Sequence, residues 1–191
     1  FRTDRRGAEA ALKYIIYGAA ASGFMIYGMS YLYGLTGTLE IHDIGRRMAE
    51  FGRENQQVSY YITLVTSVLI MAGFAYKIAA VPFHMWCPDV YEGAPTPVTA
   101  FFSVGPKAAG LAMLARFLAG IFPEGGEFPW RLVIAFMAVL TMAVGNLAAL
   151  QQQNLKRLFA YSSIAHSGYM LLAFTVFNDA ALSAMIFYLF V

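Results

Sequence analysis

Apolar segments of about 20 residues alternate with short charged clusters along this chain. The charged residues concentrate at 1–13, 40–54, 89–92, 116–131 and 156–157. A helix rises about 1.5 Å per residue, so about 20 residues cross the roughly 30 Å of hydrocarbon in a bilayer. The pattern therefore predicts an all-α fold, a polytopic bundle of membrane helices.

Prolines and polar runs set the boundaries of the predicted helices, which we assign to one transmembrane domain over 1–191. We expect helices at about 10–35, 58–81, 98–121, 130–150, 155–177 and 180–191. Pro82 breaks the second helix because proline has no N–H, and a short piece at about 83–91 follows. Gly105-Pro106 interrupts the third helix. The segments EGAPTP and FPEGGEFP are a turn and a loop, and 41–51 has the spacing of a short surface helix.

The two ends of the chain suggest a longer protein. The sequence does not begin with Met, and it stops within the apolar run AALSAMIFYLFV. We therefore expect a fragment that is truncated at both ends, with its last helix incomplete.

Composition supports a membrane protein and excludes several function classes. The chain is 59% hydrophobic and 13% charged, whereas soluble domains are about 25% charged. Its net charge of +2 and the lack of a basic, aromatic face give no indication of nucleic acid binding. Cys87 is the only cysteine, so there is no iron–sulfur set, and His84 with Cys87 supplies too few ligands for a metal site. No glycine-rich nucleotide loop is present.

Two lysines lie inside apolar runs, each near a proline. Lys77 precedes Pro82, and Lys107 follows Pro106. An ionisable residue at a helix centre costs about 2.5–3.5 kcal/mol on insertion scales, so its presence favours a function. Each proline releases a backbone carbonyl, which water or a polar side chain must satisfy. The interpretation is a pair of proton carriers beside broken backbone, although a single lysine near a proline is also compatible with a structural role.

The helix at 155–177 carries a polar stripe of Ser162, Ser163, His166 and Tyr169, spaced three and four residues apart. Histidine titrates near neutral pH and relays protons, whereas hydrogen bonding between helices explains the same residues. Lys13, near the start of the first helix, either snorkels to the interface or takes part in the same path.

The segment VPFHMWCPDVYEGAPTPVTAFFSVGPKAAG resembles the N-type membrane subunits of bacterial proton-pumping NADH-quinone oxidoreductase, respiratory complex I. EAALKY, LYGLTGT and NLKRLFAYSSIAHSGYMLLAF extend the resemblance over essentially the whole chain. The M-type and L-type subunits and the Mrp cation antiporters of the wider antiporter-like family share a looser version of the central motif.

The resemblance implies an antiporter-like fold with inverted repeats and a proline-broken helix. Lys77 matches the family's central proton carrier, and Lys107 matches the lysine of the following helix. Lys13 matches a lysine of the preceding helix, and His166 matches a histidine on the path to the second half-channel. The family's partner glutamate would lie upstream of this chain, and its second lysine would lie downstream.

The function that the resemblance implies is proton translocation coupled to quinone reduction. FMN, iron–sulfur clusters and quinone would bind elsewhere in the complex, and this subunit would hold no redox centre or cofactor. Its partners would be other membrane-arm subunits, the lipid bilayer and protons. A bacterial inner membrane is the expected location, ahead of the mitochondrial inner membrane.

Two rival functions use the same residues. An Mrp-type cation/proton antiporter would exchange Na⁺ without electron transfer. A non-catalytic scaffold of the membrane arm would use its lysines only as lipid or interface contacts, and would tolerate their replacement.

Overall fold

The computed structural model describes residues 5–54, 56–121 and 130–190, which form a bundle of helices. The all-helical class predicted from the apolar segments is confirmed for these residues. The predicted loop FPEGGEFP and the first four residues lie outside them. The described helices are α1 Arg5–Thr36, α2 Ile41–Glu54, α3 Gln56–Ile78, α4 Trp86–Gly93, α5 Thr96–Ile121, α6 Trp130–Leu150, α7 Leu155–Val176 and α8 Asp179–Phe190.

Four of the described helices are long and apolar enough to cross a membrane, namely α1, α3, α5 and α6. The apolar part of α3 begins at Tyr60. Helix α7 has a comparable length of 22 residues but is less apolar, because serines, a histidine and two basic residues interrupt its sequence. Helix α8 is 12 residues long. Among the described helices, α7 thus has the length of a membrane span but is not among the four that are apolar enough to be one.

Helices α6 and α7 approach each other closely because glycines face the partner backbone. A Cβ added at Gly145 of α6 would lie 2.6 Å from the backbone nitrogen of Ala165. A Cβ at Gly168 of α7 would lie 2.8 Å from the nitrogen of Met142. Small residues at such positions let two backbones pack almost in contact, as is common between membrane helices.

The break between α3 and α4 begins earlier than the sequence analysis placed it. α3 ends at Ile78, four residues before Pro82, and Ala79 follows in the left-handed conformation with φ 59°. The predicted end was at Val81. Pro82 cannot donate a hydrogen bond to the Ile78 carbonyl, and its ring clashes there, so the helical pattern ends at the residue that loses its donor.

Pro106 does not interrupt its helix. α5 runs without a break from Thr96 to Ile121 with the proline inside it, so the predicted interruption at Gly105-Pro106 is wrong. A proline removes one backbone donor, and a long helix can retain the turns on either side of it. Lys107 therefore lies on a continuous helix, whereas Lys77 lies at a broken one.

An aromatic cluster holds the broken segment against α1. The indole N–H of Trp86 donates to the carbonyl oxygen of Tyr76 across the break, at 3.0 Å. The hydroxyl of Tyr76 donates to the carbonyl oxygen of Tyr14 at 2.7 Å. The rings of Tyr14, Tyr76 and Trp86 lie 5.2–5.7 Å apart, within the range of favourable aromatic pairs.

Candidate functional site

Lys107 is the buried cation of the described bundle, with 2% of its surface exposed. Its ammonium donates to the carbonyl oxygen of Ser163 at 2.7 Å, to the hydroxyl of Ser163, and to the hydroxyl of Ser167 at 3.0 Å. An ammonium has three donors and no acceptor, so this set uses all of them. Among the described residues, no carboxylate forms an ion pair with it. The charge is held by neutral oxygens of α7 alone.

The break in α3 lies directly beside this lysine. The hydroxyl of Ser167, which accepts from Lys107, also lies 2.7 Å from the carbonyl oxygen of Ile78. This carbonyl is the one that Pro82 leaves without a donor. The sequence analysis expected a polar side chain or water at that point, and Ser167 occupies the position.

A second backbone group at the break, the N–H of Val81, finds its hydrogen-bond acceptor on α6. The backbone N–H of Val81 donates to the hydroxyl of Thr141 at 3.0 Å. That hydroxyl directs its own hydrogen to the carbonyl oxygen of Met137, one turn back on α6, so a lone pair remains for Val81. Thr141 is fully buried. Partners from α6 and α7 therefore hold the broken backbone in place.

Lys77 lies on an open face of the described bundle rather than in its core. Its side chain is exposed, and among the described residues its ammonium has no hydrogen bond or ion pair. Its stem passes over Gly110 of α5, where an added Cβ would come within 3.3 Å of the Lys77 Cγ. Gly110 is three residues after Lys107, so the stem of Lys77 crosses α5 one turn from Lys107.

The predicted polar stripe of α7 divides between two faces. Ser163 turns towards Lys107, together with Ser167, which the sequence analysis did not include. His166 is exposed, and its Nδ1 lies 2.6 Å from the hydroxyl of Tyr188 on α8. Tyr169 accepts a hydrogen bond from Asn146 of α6 at 3.0 Å. The structure does not bring His166 to the buried lysine.

Lys13 belongs to a separate cluster of charges that joins three helices. Its ammonium lies 2.7 Å from carboxylate oxygens of both Glu9 and Asp89. Arg157 of α7 binds the other oxygen of Asp89 at 2.7 Å and also Glu92 at 3.0 Å. The carboxylates of α4 thus tie it to α1 and α7.

Ser167 and Thr141 are the residues at the break that sequence reasoning missed. Ser167 follows Ser163 by four residues, which places both on one helix face, and this spacing was the available signal. Thr141 is a lone hydroxyl in an apolar helix, and nothing in the sequence marks it. The described residues contain no group of three or more His, Cys, Asp or Glu side chains arranged to hold a metal ion.

Comparison with known proteins identifies a family over the whole chain. A sequence model described as "NADH:quinone oxidoreductase/Mrp antiporter, TM" matches residues 1–191. A curated relative named NADH-quinone oxidoreductase subunit N 2, from Sorangium cellulosum, is 52% identical over 97% of this chain and 38% of its own length. The chain thus spans about two fifths of that relative.

Solved structures show the same fold. A chain of respiratory complex I from Thermus thermophilus, determined with bound aureothin, is 39% identical with a TM-score of 0.76. The match covers 96% of this chain and 38% of that one. A chain of the Mrp complex from Dietzia sp. is 28% identical with a TM-score of 0.80, over 97% of this chain and 33% of that one.

Proposed function

Because this chain belongs to the NADH:quinone oxidoreductase/Mrp antiporter transmembrane family, we propose that it carries part of a proton path in an NADH-quinone oxidoreductase. The observation that carries the proposal is Lys107, a buried cation bound only by hydroxyl and carbonyl oxygens. A buried charge costs several kcal/mol after relaxation, so a scaffold helix gains nothing from it. A proton carrier, in contrast, needs a titratable group inside the protein. A lysine without a carboxylate partner suits this role, because it can release its proton and leave no unpaired anion.

The break in α3 gives that lysine a neighbour with the same chemistry. Lys77 lies at the end of the broken helix, and its stem crosses α5 one turn from Lys107. We assign proton exchange to this pair, with water at the break as the carrier between them. Pro82 supports the path by freeing the backbone, whereas Pro106 lies within a continuous helix.

His166 and Lys13 extend the proposed path on two sides. His166 contacts Tyr188 on the exposed face of α7, and a histidine–tyrosine pair can pass a proton towards the second half-channel that the resemblance implies. Lys13 forms ion pairs with Glu9 and Asp89. These two assignments rest on the family resemblance and on these contacts.

The proposal places electron transfer in other subunits. FMN, iron–sulfur clusters and quinone would bind elsewhere in the complex, and the described helices would serve proton transfer. The partners would be the neighbouring membrane-arm subunits and the lipid bilayer. The relative from Sorangium cellulosum is bacterial, which supports a bacterial inner membrane as the location.

The experiment that tests this function replaces Lys77 in the full-length protein within its own membrane. Inverted vesicles with Lys77→Met are compared with the wild type for NADH oxidation and acidification, recorded together. Arg53→Met is the matched control, because it removes an exposed cation of α2. Loss of acidification in Lys77→Met alone, at equal assembly, supports the path. Full acidification at an unchanged oxidation rate makes the subunit a scaffold.

An Mrp-type cation/proton antiporter is the second candidate. The TM-score of 0.80 with the Mrp chain is comparable to that with the complex I chain, and this observation favours it. The higher identity of 39% with the complex I chain favours the first proposal. Proton flux driven by Na⁺ in vesicles that receive no NADH distinguishes the two, since the first proposal predicts none.

A further inference from the structure

We infer that Ser167 is a positioning residue whose hydroxyl couples the proton on Lys107 to the broken end of α3. The inference rests on the proposed function, since it requires that Lys107 exchanges a proton. It assigns a role to a residue that the sequence did not single out.

Ser167 lies at the junction of three helices and is fully buried. A hydroxyl has one hydrogen and two lone pairs. Its oxygen lies 2.7 Å from the carbonyl oxygen of Ile78 on α3 and 3.0 Å from that of Ser163 on its own helix. The ammonium of Lys107 donates to it from 3.0 Å. The Ser163 carbonyl already accepts from Lys107 at 2.7 Å, so the hydrogen of Ser167 is best used on Ile78.

The charged form of Lys107 fixes the direction of this hydrogen. An ammonium has no lone pair, so the Ser167 hydroxyl can only accept from it. The hydrogen therefore points away from the lysine and towards Ile78. The hydroxyl of Ser163 is less constrained, because Tyr91 offers it another partner at 3.3 Å.

Loss of the proton reverses the arrangement. The proton passes from Nζ to a water molecule of the path, and the neutral amine keeps two hydrogens and gains a lone pair. That lone pair is an acceptor, and the Ser167 hydroxyl can rotate to donate to it. The carbonyl of Ile78 then loses its donor, and a bare carbonyl at membrane depth must bind water. Ile78 directly follows Lys77, so this water lies at the broken end of α3, and the break is hydrated when Lys107 has released its proton.

A matched pair of variants isolates the hydroxyl. Ser167→Thr and Ser167→Val have nearly the same shape, and Val carries a methyl group where Thr keeps the hydroxyl, while Ser167→Ala removes the hydroxyl without added bulk. Ser30→Ala is the control, since Ser30 donates to the Tyr27 carbonyl of its own helix. The measurement is the initial rate of NADH-driven acidification per assembled complex in inverted vesicles. We expect Ser167→Ala and Ser167→Val to be slower by about tenfold, the usual effect of one hydrogen bond to a charged group. Ser167→Thr and Ser30→Ala should stay near the wild-type rate.

Each outcome separates this inference from the proposed function. Equal rates in Ser167→Thr and Ser167→Val overturn the inference, because the hydroxyl then makes no difference. If the added methyl prevents assembly of both, Ser167→Ala decides: a slow rate supports the inference and a wild-type rate overturns it. Lys107→Met is measured alongside. If Lys107→Met abolishes acidification while Ser167→Ala acidifies at the wild-type rate, the proposed function stands without the inference. If it pumps normally, the proposed function fails as well.

Discussion

Ser167 of α7 donates a hydrogen bond of 2.7 Å to the carbonyl oxygen of Ile78, the last residue of α3. The two residues are 89 positions apart in the chain. Pro82 is the residue that would otherwise supply the donor, and it has none. The broken helix is therefore completed by a different helix, and the same serine accepts from the buried Lys107. The hydroxyl of Ser167 therefore serves both the free carbonyl of Ile78 and the buried ammonium of Lys107.

Thr141→Val should destabilise the protein by about 1–3 kcal/mol. The change keeps the shape of the side chain and removes the acceptor of the Val81 N–H, which is then buried without a partner. Thr175→Val is the control, because Thr175 donates only to the Leu172 carbonyl of its own helix. Thermal unfolding of the full-length protein in detergent measures both. Equal stability in the two variants would mean that water replaces Thr141 at the break.

Gly145→Ala should lower stability by about 1–3 kcal/mol, the usual effect of an added carbon in a tight contact. The new Cβ would lie 2.6 Å from the backbone nitrogen of Ala165, and a backbone atom cannot rotate away. Gly23→Ala on α1 is the control, since nothing lies within 4 Å of its added Cβ. That change should stabilise its helix by about 0.5–1 kcal/mol. Thermal unfolding in detergent measures both variants. Wild-type stability in Gly145→Ala would show that α6 and α7 separate easily.

Asp89→Asn should destabilise the protein by about 1 kcal/mol. The carboxylate of Asp89 binds Lys13 and Arg157 at 2.7 Å each, so its loss weakens the contact of α4 with both α1 and α7. The effect should shrink in high salt, because salt screens partly exposed ion pairs. Asp43→Asn removes a local pair with Arg46 on α2 and should change stability less. Unfolding at two salt concentrations tests this, and a salt-independent loss would assign the effect to packing.

The sequence was sufficient for the fold class and for the position of the buried charge. The apolar segments predicted the helices, and Lys107 was identified because a charge in an apolar run is costly. Lys77 was identified on the same ground, but its side chain is exposed. The proline rule also predicted that the Ile78 carbonyl would need a donor. The sequence did not identify Ser167 as the donor. Helical spacing shows which residues share a face of one helix, but it does not show which neighbouring helix that face contacts. Thr141 was missed for the same reason.

The two prolines show where local rules stop being sufficient. Pro82 and Pro106 both lie inside long apolar segments, and both were expected to interrupt a helix. Only the first does so, and there Ser167, Thr141 and Trp86 bind the groups that the break exposes. A break in an apolar environment is stable when such partners are present. Those partners come from helices distant in sequence, so the difference between the two prolines is a tertiary effect.

The polar stripe of α7 shows the same limit on a smaller scale. Ser163 and His166 are three residues apart, and the spacing alone placed them on one face. In the bundle, Ser163 contacts Lys107, whereas His166 contacts Tyr188. Neighbours on either side of α7 divide the stripe, and the sequence does not show which helix covers which part of it.

The most direct test of the proton path is acidification by inverted vesicles that carry Lys107→Met in the full-length protein, with NADH oxidation recorded at the same time. Met keeps much of the volume of lysine and removes the exchangeable proton. Lys107→Arg serves as the comparison, because it keeps the charge but does not deprotonate in proteins. The account predicts that both variants assemble and that acidification falls by about a hundredfold, the contribution of a positioned proton-transfer group. Wild-type acidification per NADH in assembled Lys107→Met would contradict it.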